Sequence, residues 1–157
     1  MSTAILESPT TQYDVEDVEY LRHGDKPLLA RLFIPRGAGP FPAMVECHGG
    51  AWCMSDRFTE RLRHEYMASH GVVSVALDFR SGNEDPYPAS VQDINYAVRW
   101  TKLNARALKT RAELVGLSGQ SSGGHLAMPP CGRGMRATRR SLCRQVPARR
   151  MRQWAAS

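Results

Sequence analysis

The sequence predicts an α/β fold with a mostly parallel sheet and flanking helices. Three short apolar runs, residues 43–47, 72–77 and 114–117, are nearly continuous, as in strands that are buried on both faces of a parallel sheet. Two segments with a helical spacing of apolar residues separate these runs. Strands that alternate with helices in this way favour right-handed crossover connections.

Two further strands are predicted before the parallel part of the sheet. Residues 15–21 alternate apolar and acidic side chains, and residues 28–34 form an apolar run that ends at Pro35. Residues 36–42 are rich in Gly and Pro and predict a turn. Residues 1–14 form a polar leader without the basic start and apolar core of a signal peptide, so we expect a cytoplasmic protein.

The two helical segments differ in the strength of their pattern. Residues 56–70 predict an amphipathic helix whose apolar face carries Phe58, Leu62 and Tyr66 at four-residue spacing, with Gly71 as its stop. A second helix is predicted after Pro88 and extends to about residue 104. Its apolar stripe consists of Val91, Ile94, Ala97 and Val98.

Charge divides the chain into two parts. The 157 residues carry 21 Lys and Arg against 15 Asp and Glu, a net charge of +6. Eight arginines fall within residues 132–154, whereas residues 1–128 hold 13 basic and all 15 acidic residues, a net charge of −2. We therefore predict a leader (1–14), an α/β domain (15–128) and an arginine-rich tail (129–157) that alone accounts for the basicity.

The composition argues against several kinds of site. No window approaches the ~20 apolar residues of a membrane span. The cysteines at positions 47, 53, 131 and 143 lack a metal-binding spacing, and we expect them to be free thiols. We predict no metal and no cofactor, and the sequence leaves the oligomeric state open.

The strongest chemical signal is the pattern G-x-S-x-G at residues 119–123, directly after the strand predicted at 114–117. In this pattern the serine occupies a sharp strand-to-helix turn that exposes its hydroxyl, and the glycines on either side avoid clashes. Ser118 and Ser122 do not fit the pattern, because Gln120 stands where each would need glycine. Ser121 is therefore the candidate nucleophile.

A second signal, H-G-G-A-W at residues 48–52, follows the strand predicted at 43–47. A tight glycine turn at this place can aim backbone N–H groups at the oxyanion that forms when a carbonyl is attacked. The N–H group of Ser122, which follows the nucleophile, would complete the oxyanion hole. The predicted oxyanion-hole residues are Gly49, Gly50, Ala51 and Ser122.

Residues 18–128 resemble the hormone-sensitive-lipase-like carboxylesterases, an α/β-hydrolase family that includes bacterial acetyl esterases. The H-G-G-A-W block is similar to the family's oxyanion motif, and G-Q-S-S-G-G-H-L-A at 119–127 is similar to its nucleophile elbow and the following helix. Between these blocks, residues 78–89 resemble the family segment D-Y-R-L-A-P-E-x-x-x-P-A, from which residues 81–83 depart. Asp93, Ala97 and Trp100 fit the helix that comes next.

The resemblance implies a serine hydrolase that cleaves small acyl esters through an acyl-enzyme. Ser121 would attack the acyl carbon, a histidine would accept its proton, and an acid would orient that histidine. Gly50, Ala51 and Ser122 would supply the oxyanion N–H groups, and Gly49 would shape the turn. His48 would brace the loop without transferring a proton.

This fold uses a catalytic triad in the chain order Ser, acid, His. The residues after Ser121 do not supply the other two members. No Asp or Glu follows Ser121, and His125 is the only later histidine. In the family this histidine belongs to the helix after the elbow, where packing is its expected role. The family's later strands also lack a counterpart among the five predicted strands. We therefore expect a fold truncated after the elbow, with little or no turnover.

The tail (129–157) has no sustained helical or strand period, and its Arg, Ala, Pro, Gly and Cys content is typical of GC-rich DNA read out of frame. A frameshift near residues 128–129 is our hypothesis for its origin. A genuine arginine-rich tail that binds nucleic acid or an acidic partner is the alternative, although we expect no nucleic-acid partner.

Two other functions stay open. The pattern H-G-G-x-W also occurs in kynurenine-formamidase-like enzymes, which cleave an amide. Alternatively, the chain is a non-catalytic truncated pseudoenzyme whose basic tail mediates interaction. For the esterase, we expect a small-molecule ester substrate and no membrane association.

Overall fold

The computed structural model describes residues 10–132, with side chains over residues 10–128. The elements, in chain order, are β1 (Tyr13–His23), β2 (Lys26–Pro35), β3 (Ala43–Cys47), α1 (Arg61–Ser69), β4 (Val73–Leu77), α2 (Ala89–Leu103), β5 (Val115–Gly119) and α3 (Ser122–Gly132). A 3₁₀ turn, Ala112–Leu114, leads into β5. This order confirms the predicted α/β fold. Most of the leader and of the tail, and with them the frameshift hypothesis, lie outside the described residues.

The five strands form one mixed sheet in the order β1-β2-β4-β3-β5. β1 pairs antiparallel with β2, and β2 pairs antiparallel with β4. β3 lies between β4 and β5 and is parallel to both. Because β3 and β5 are parallel neighbours, their carboxyl ends meet at the same end of the sheet. The loops that follow these two ends carry the two motifs found in the sequence.

The second predicted helix is confirmed as α2, which packs on the main core. Ile94, Ala97 and Val98 are buried as expected. Trp100 is buried as well, and its ring meets the ring of Tyr20 edge-on with centroids 6.4 Å apart. Every residue of β4 is buried, as a strand with neighbours on both sides requires. Within the described residues, no helix is long and apolar enough to cross a bilayer.

The predicted apolar face of the first helix is wrong. Phe58, Leu62 and Tyr66 are 44%, 73% and 65% exposed. The side of α1 that packs on the sheet carries His64 and Ala68 instead. Four-residue spacing identified a helix here, but Phe58 precedes α1, which begins at Arg61 rather than at residue 56. Leu62 and Tyr66 lie on the exposed side of the helix.

The entry into α1 and the hydrogen bonds of His64 explain this outcome. The helix begins at Arg61, after Glu60 in a left-handed conformation with φ of 62°. Ser74 Oγ lies 2.9 Å from His64 Nδ1, and the Thr59 carbonyl oxygen lies 3.1 Å from His64 Nε2. Both ring nitrogens therefore have partners inside the protein, which permits burial of a polar ring. Burial lowers the pKa of His64, so the ring is held neutral.

A buried carboxylate holds the loop between β4 and α2. The side chain of Asp93 is 1% exposed and accepts hydrogen bonds from Arg80 Nε and Nη2 at 2.9 Å each. It also accepts a bond from the backbone N–H of Arg80 at 3.1 Å. His23 Nε2, at the end of β1, lies 2.8 Å from Asp93 Oδ1. These bonds join the loop to α2 and to the β1–β2 hairpin.

Asp93→Ala is expected to lower the free energy of unfolding by about 3 kcal/mol or more, because the Arg80 guanidinium would lose its buried counter-charge. Asp85→Ala is the matched control. Asp85 contacts the same guanidinium at 2.9 Å but is 50% exposed, so we expect a loss below about 1 kcal/mol. Urea unfolding followed by circular dichroism measures both variants. Equal losses would contradict this account of the loop.

Candidate active site

Ser121 lies at the turn between β5 and α3, where the motif predicts it. Its φ is 51°, in the left-handed region that non-glycine residues seldom adopt, and the residue is exposed. The Gln120 carbonyl accepts a hydrogen bond from the Gly123 N–H at 2.8 Å, which closes the turn. An exposed serine in a strained strand-to-helix turn has the geometry of a nucleophile elbow.

Close backbone contacts require the two glycines of the motif. A Cβ atom at Gly119 would lie 2.4 Å from the carbonyl carbon of Gly123. A Cβ atom at Gly123 would lie 2.2 Å from the Cys47 carbonyl oxygen and 2.4 Å from the His48 carbonyl oxygen. These neighbours are backbone atoms, which cannot rotate away as a side chain can. The glycines therefore allow α3 to begin directly against the end of β3.

The H-G-G-A-W loop follows β3 and lies against the elbow. A Cβ atom at Gly49 would lie 3.3 Å from Ser121 Cβ, so the backbone of this loop passes beside Ser121. Gly50 has a φ of 116°. Its carbonyl accepts hydrogen bonds from the N–H groups of Cys53 and Met54 at 3.0 and 2.9 Å. The loop thus makes a tight turn that its own backbone hydrogen bonds close.

Ala51 and Trp52 continue this loop in the left-handed region, with φ values of 50° and 66°. Such a conformation costs a residue with a Cβ about 1 kcal/mol, so contacts elsewhere must hold the loop. The Trp52 carbonyl accepts a hydrogen bond from the Gly82 N–H at 2.7 Å. The Trp52 ring meets the His125 ring edge-on at 5.8 Å. The loop is therefore fixed both to the β4–α2 connection and to α3.

The two histidines of the motifs make aromatic contacts. The ring of His48 stacks on Phe79 with centroids 4.2 Å apart and planes 10° apart. His48 Nδ1 lies 2.7 Å from the carbonyl oxygen of Gly49. His125 is exposed in the first turn of α3, where its ring contacts Trp52. These contacts suit the bracing and packing roles expected for the two side chains.

Sequence reasoning does not identify Arg57, which anchors the far end of the H-G-G-A-W loop. Its backbone N–H donates to Asp78 Oδ1 at 2.9 Å and its Nη1 donates to Asp78 Oδ2 at 2.8 Å. Its Nη2 donates to Asp17 Oδ2 at 3.2 Å. The Asp78 carbonyl accepts the hydroxyl of Tyr20 at 2.5 Å, and burial raises the pKa of Tyr20. The only local signal for Arg57 is the adjacent aromatic residue, Phe58, whose ring lies 4.3 Å from the guanidinium carbon.

A second cluster that the sequence does not reveal joins β3, α1 and β5 beside the elbow. Glu46 on β3 is 3% exposed, and burial raises the pKa of its carboxyl group against the opposing effect of Arg63. Arg63 Nη1 lies 3.1 Å from Glu46 Oε2 and 3.0 Å from Glu60 Oε2. Arg63 Nη2 donates to Ser118 Oγ at 2.9 Å. The side-chain amide of Gln120 lies against the Glu60 carboxylate and donates to it when its NH2 group is turned toward Glu60.

Comparison with known proteins identifies relatives for most of the chain. The family model BD-FAE matches residues 32–141. The chain is 27% identical over 133 residues to Probable carboxylesterase 5 of Arabidopsis thaliana, a match that covers 73% of this chain and 41% of the relative. It is 33% identical over 107 residues to Carboxylic ester hydrolase LipN of Mycobacterium tuberculosis, covering 65% of this chain and 28% of the relative. The chain thus spans less than half the length of these proteins.

A solved structure has the same arrangement of elements. The hyperthermophilic esterase from the archaeon Pyrobaculum calidifontis superposes with a TM-score of 0.69 at 31% sequence identity. The match covers 74% of this chain and 37% of the archaeal chain. The fold predicted from the motifs, an α/β-hydrolase fold that is present only in part, is confirmed by this superposition.

Gly123→Ala is expected to lower the free energy of unfolding by about 3 kcal/mol, because its Cβ would overlap the Cys47 and His48 carbonyl oxygens and force the backbone apart. Gly82→Ala is the matched control, since a Cβ there would lie 3.4 Å from the Trp52 carbonyl oxygen. We expect that control to change the free energy by less than about 1 kcal/mol. Urea unfolding distinguishes the two. A larger loss in Gly82→Ala would refute the proposed contact between α3 and β3.

Proposed function

Because this chain belongs to the BD-FAE family and has an α/β-hydrolase fold, we propose that Ser121 is the nucleophile of a serine carboxylic ester hydrolase that acts on small acyl esters. The observation that carries the proposal is the left-handed, exposed Ser121, which the glycines on either side allow to stand between β5 and α3. Relatives named as carboxylesterases and esterases support the reaction class.

In the proposed reaction, Ser121 Oγ attacks the acyl carbon and the carbonyl oxygen becomes an oxyanion. The backbone N–H groups of Gly50, Ala51 and Ser122 donate hydrogen bonds to that oxyanion, and Gly49 shapes the turn. Collapse of the tetrahedral intermediate expels the alcohol and leaves an acyl-enzyme. Water then attacks the acyl carbon and releases the acid, which restores the serine hydroxyl. The close approach of Gly49 to Ser121 supports the proposal that the H-G-G-A-W loop and the elbow form one site.

When Ser121 attacks, a base must accept its hydroxyl proton. We assign that role to no residue of this chain. The only histidine after Ser121 is His125, and no Asp or Glu follows Ser121 in the 157 residues. The ring of His125 faces Trp52, and the carboxylates of Asp78 and Asp93 are bound by Arg57 and Arg80. We therefore propose that the 157-residue chain alone has negligible turnover.

With p-nitrophenyl acetate, the 157-residue chain is expected to hydrolyse ester at least about 10³-fold more slowly than an intact esterase, because loss of a triad member typically removes this much or more. Release of p-nitrophenol, with Ser121→Ala as the blank, measures the rate. A Ser121-dependent rate equal to that of an intact esterase would show that the chain supplies its own base. That result would overturn the proposed inactivity.

A chimera tests the nucleophile itself. Residues 1–128 joined to the remaining carboxyl-terminal part of the Pyrobaculum calidifontis esterase should regain hydrolysis, because the missing acid and histidine return with that part. Ser121→Ala in the chimera should abolish this activity, and Ser69→Ala, at the end of α1, should leave it intact. A soluble, folded chimera whose activity survives Ser121→Ala would refute the assignment.

A further inference from the structure

Gln120, the residue directly before Ser121, is held on three sides. Its N–H donates to the Cys47 carbonyl at 3.2 Å, and its carbonyl accepts the Gly123 N–H at 2.8 Å. Its side-chain amide lies against the Glu60 carboxylate, and the orientation that turns the NH2 group toward Glu60 places Nε2 3.3 Å from Oε2. The opposite amide orientation would set two acceptor oxygens against each other. A bond from an amide to a carboxylate is charge-assisted and stronger than one between neutral groups.

We infer that Glu60 is a positioning residue, which fixes the backbone presenting Ser121 by holding the side chain of Gln120. This inference rests on the proposed role of Ser121. In the described part of the chain, no hydrogen bond joins the Glu60 side chain to Ser121 or to the predicted oxyanion loop, so Glu60 acts on Ser121 through Gln120.

The left-handed backbone of Glu60 indicates that its carboxylate is needed at this position. Glu60 precedes α1 with φ of 62°, a region in which glycine would avoid the steric cost that glutamate incurs. Glycine would have no carboxylate to reach Gln120. The Glu60 side chain is 18% exposed, whereas Gln120 is an exposed residue, so the carboxylate is the more buried partner of this pair.

Arg63 and Glu46 fix the carboxylate of Glu60 in turn. Arg63 Nη1 lies between Glu60 and Glu46, at 3.0 and 3.1 Å, and its Nη2 bonds Ser118 Oγ at 2.9 Å. Glu46 belongs to β3 and Ser118 to β5, the two strands whose ends carry the motifs. The guanidinium therefore ties the start of α1 to both strands. Movement of Glu60 relative to the elbow would break its bonds to Arg63 and to Gln120.

The test uses the full 157-residue chain and its Glu60→Gln variant. In the variant, the backbone amides of Gln120 and Gly123 should exchange with solvent about tenfold faster, since a charge-assisted bond is lost. Amides of β4 should exchange at unchanged rates. Labelling of Ser121 by a fluorophosphonate probe, followed by mass spectrometry over hours, should slow by about tenfold. Glu65→Gln is the matched control, because Glu65 pairs with Arg61 at 2.8 Å on the same helix, and both readouts should stay at the parent values.

A reversed pair separates positioning from general stability. Gln120→Glu alone places a carboxylate against Glu60 and should accelerate exchange at Gly123 further. The double variant Glu60→Gln with Gln120→Glu restores an amide–carboxylate bond with the roles exchanged. Its exchange and labelling rates should return to within about threefold of the parent, since coupled residues depart from additivity.

The outcomes distinguish this inference from the proposed function. Unchanged exchange at Gly123 in Glu60→Gln, an equal acceleration in β4, or failure of the double variant to recover would each overturn the positioning role. The proposed nucleophile would be overturned separately, by hydrolysis in the chimera that survives Ser121→Ala. Exchange that follows the expected pattern would then still establish that Glu60 fixes the turn.

Discussion

The contact between the start of α3 and the end of β3 decides the geometry of the whole site. It exists because Gly123 has no side chain where the Cys47 and His48 carbonyl oxygens stand, and because Gly119 has none where Gly123 passes. Parallel pairing of β3 with β5 brings the two chain segments to the same end of the sheet. Gln120 and the left-handed Ser121 are then the two residues that connect the end of β5 to the start of α3.

The H-G-G-A-W loop and the elbow contain left-handed residues, among them Ala51, Trp52 and Ser121. Each such residue carries a conformational cost, so contacts from outside the two motifs must stabilise these loops. Three arginines provide such contacts. Arg57 binds Asp78, Arg80 binds Asp93, and Arg63 binds Glu46. Each pair joins a loop or helix start to the end of a strand or to a helix. The carboxylates of Asp78 and Asp93 are thereby occupied by structural ion pairs.

Helix α1 shows where local pattern fails. Phe58, Leu62 and Tyr66 have the spacing of a buried face, yet the side that meets the sheet carries His64 and Ala68. Ala68 allows close approach, and His64 is satisfied by Ser74 and Thr59. A sequence pattern identifies only apolar side chains. It does not show that both ring nitrogens of His64 have hydrogen-bond partners in the folded protein. In α2 the apolar stripe itself is buried, so the same reasoning predicted Ile94, Ala97 and Val98 correctly, although the polar Asp93 is buried on that helix as well.

The sequence by itself determined the order of the elements, the candidate nucleophile and the loop expected to form the oxyanion hole. These features depend on neighbours only a few residues away: a serine between glycines, or an apolar run between turns. Tertiary structure alone decided which strands are adjacent, which side of α1 is buried and which side chains anchor the loops. Arg57 and Asp78 are 21 residues apart, and Arg63 and Ser118 are 55 apart. Such partners become neighbours only when the sheet forms, because hydrogen bonds and ion pairs act over a few ångströms and leave no periodic trace along the chain.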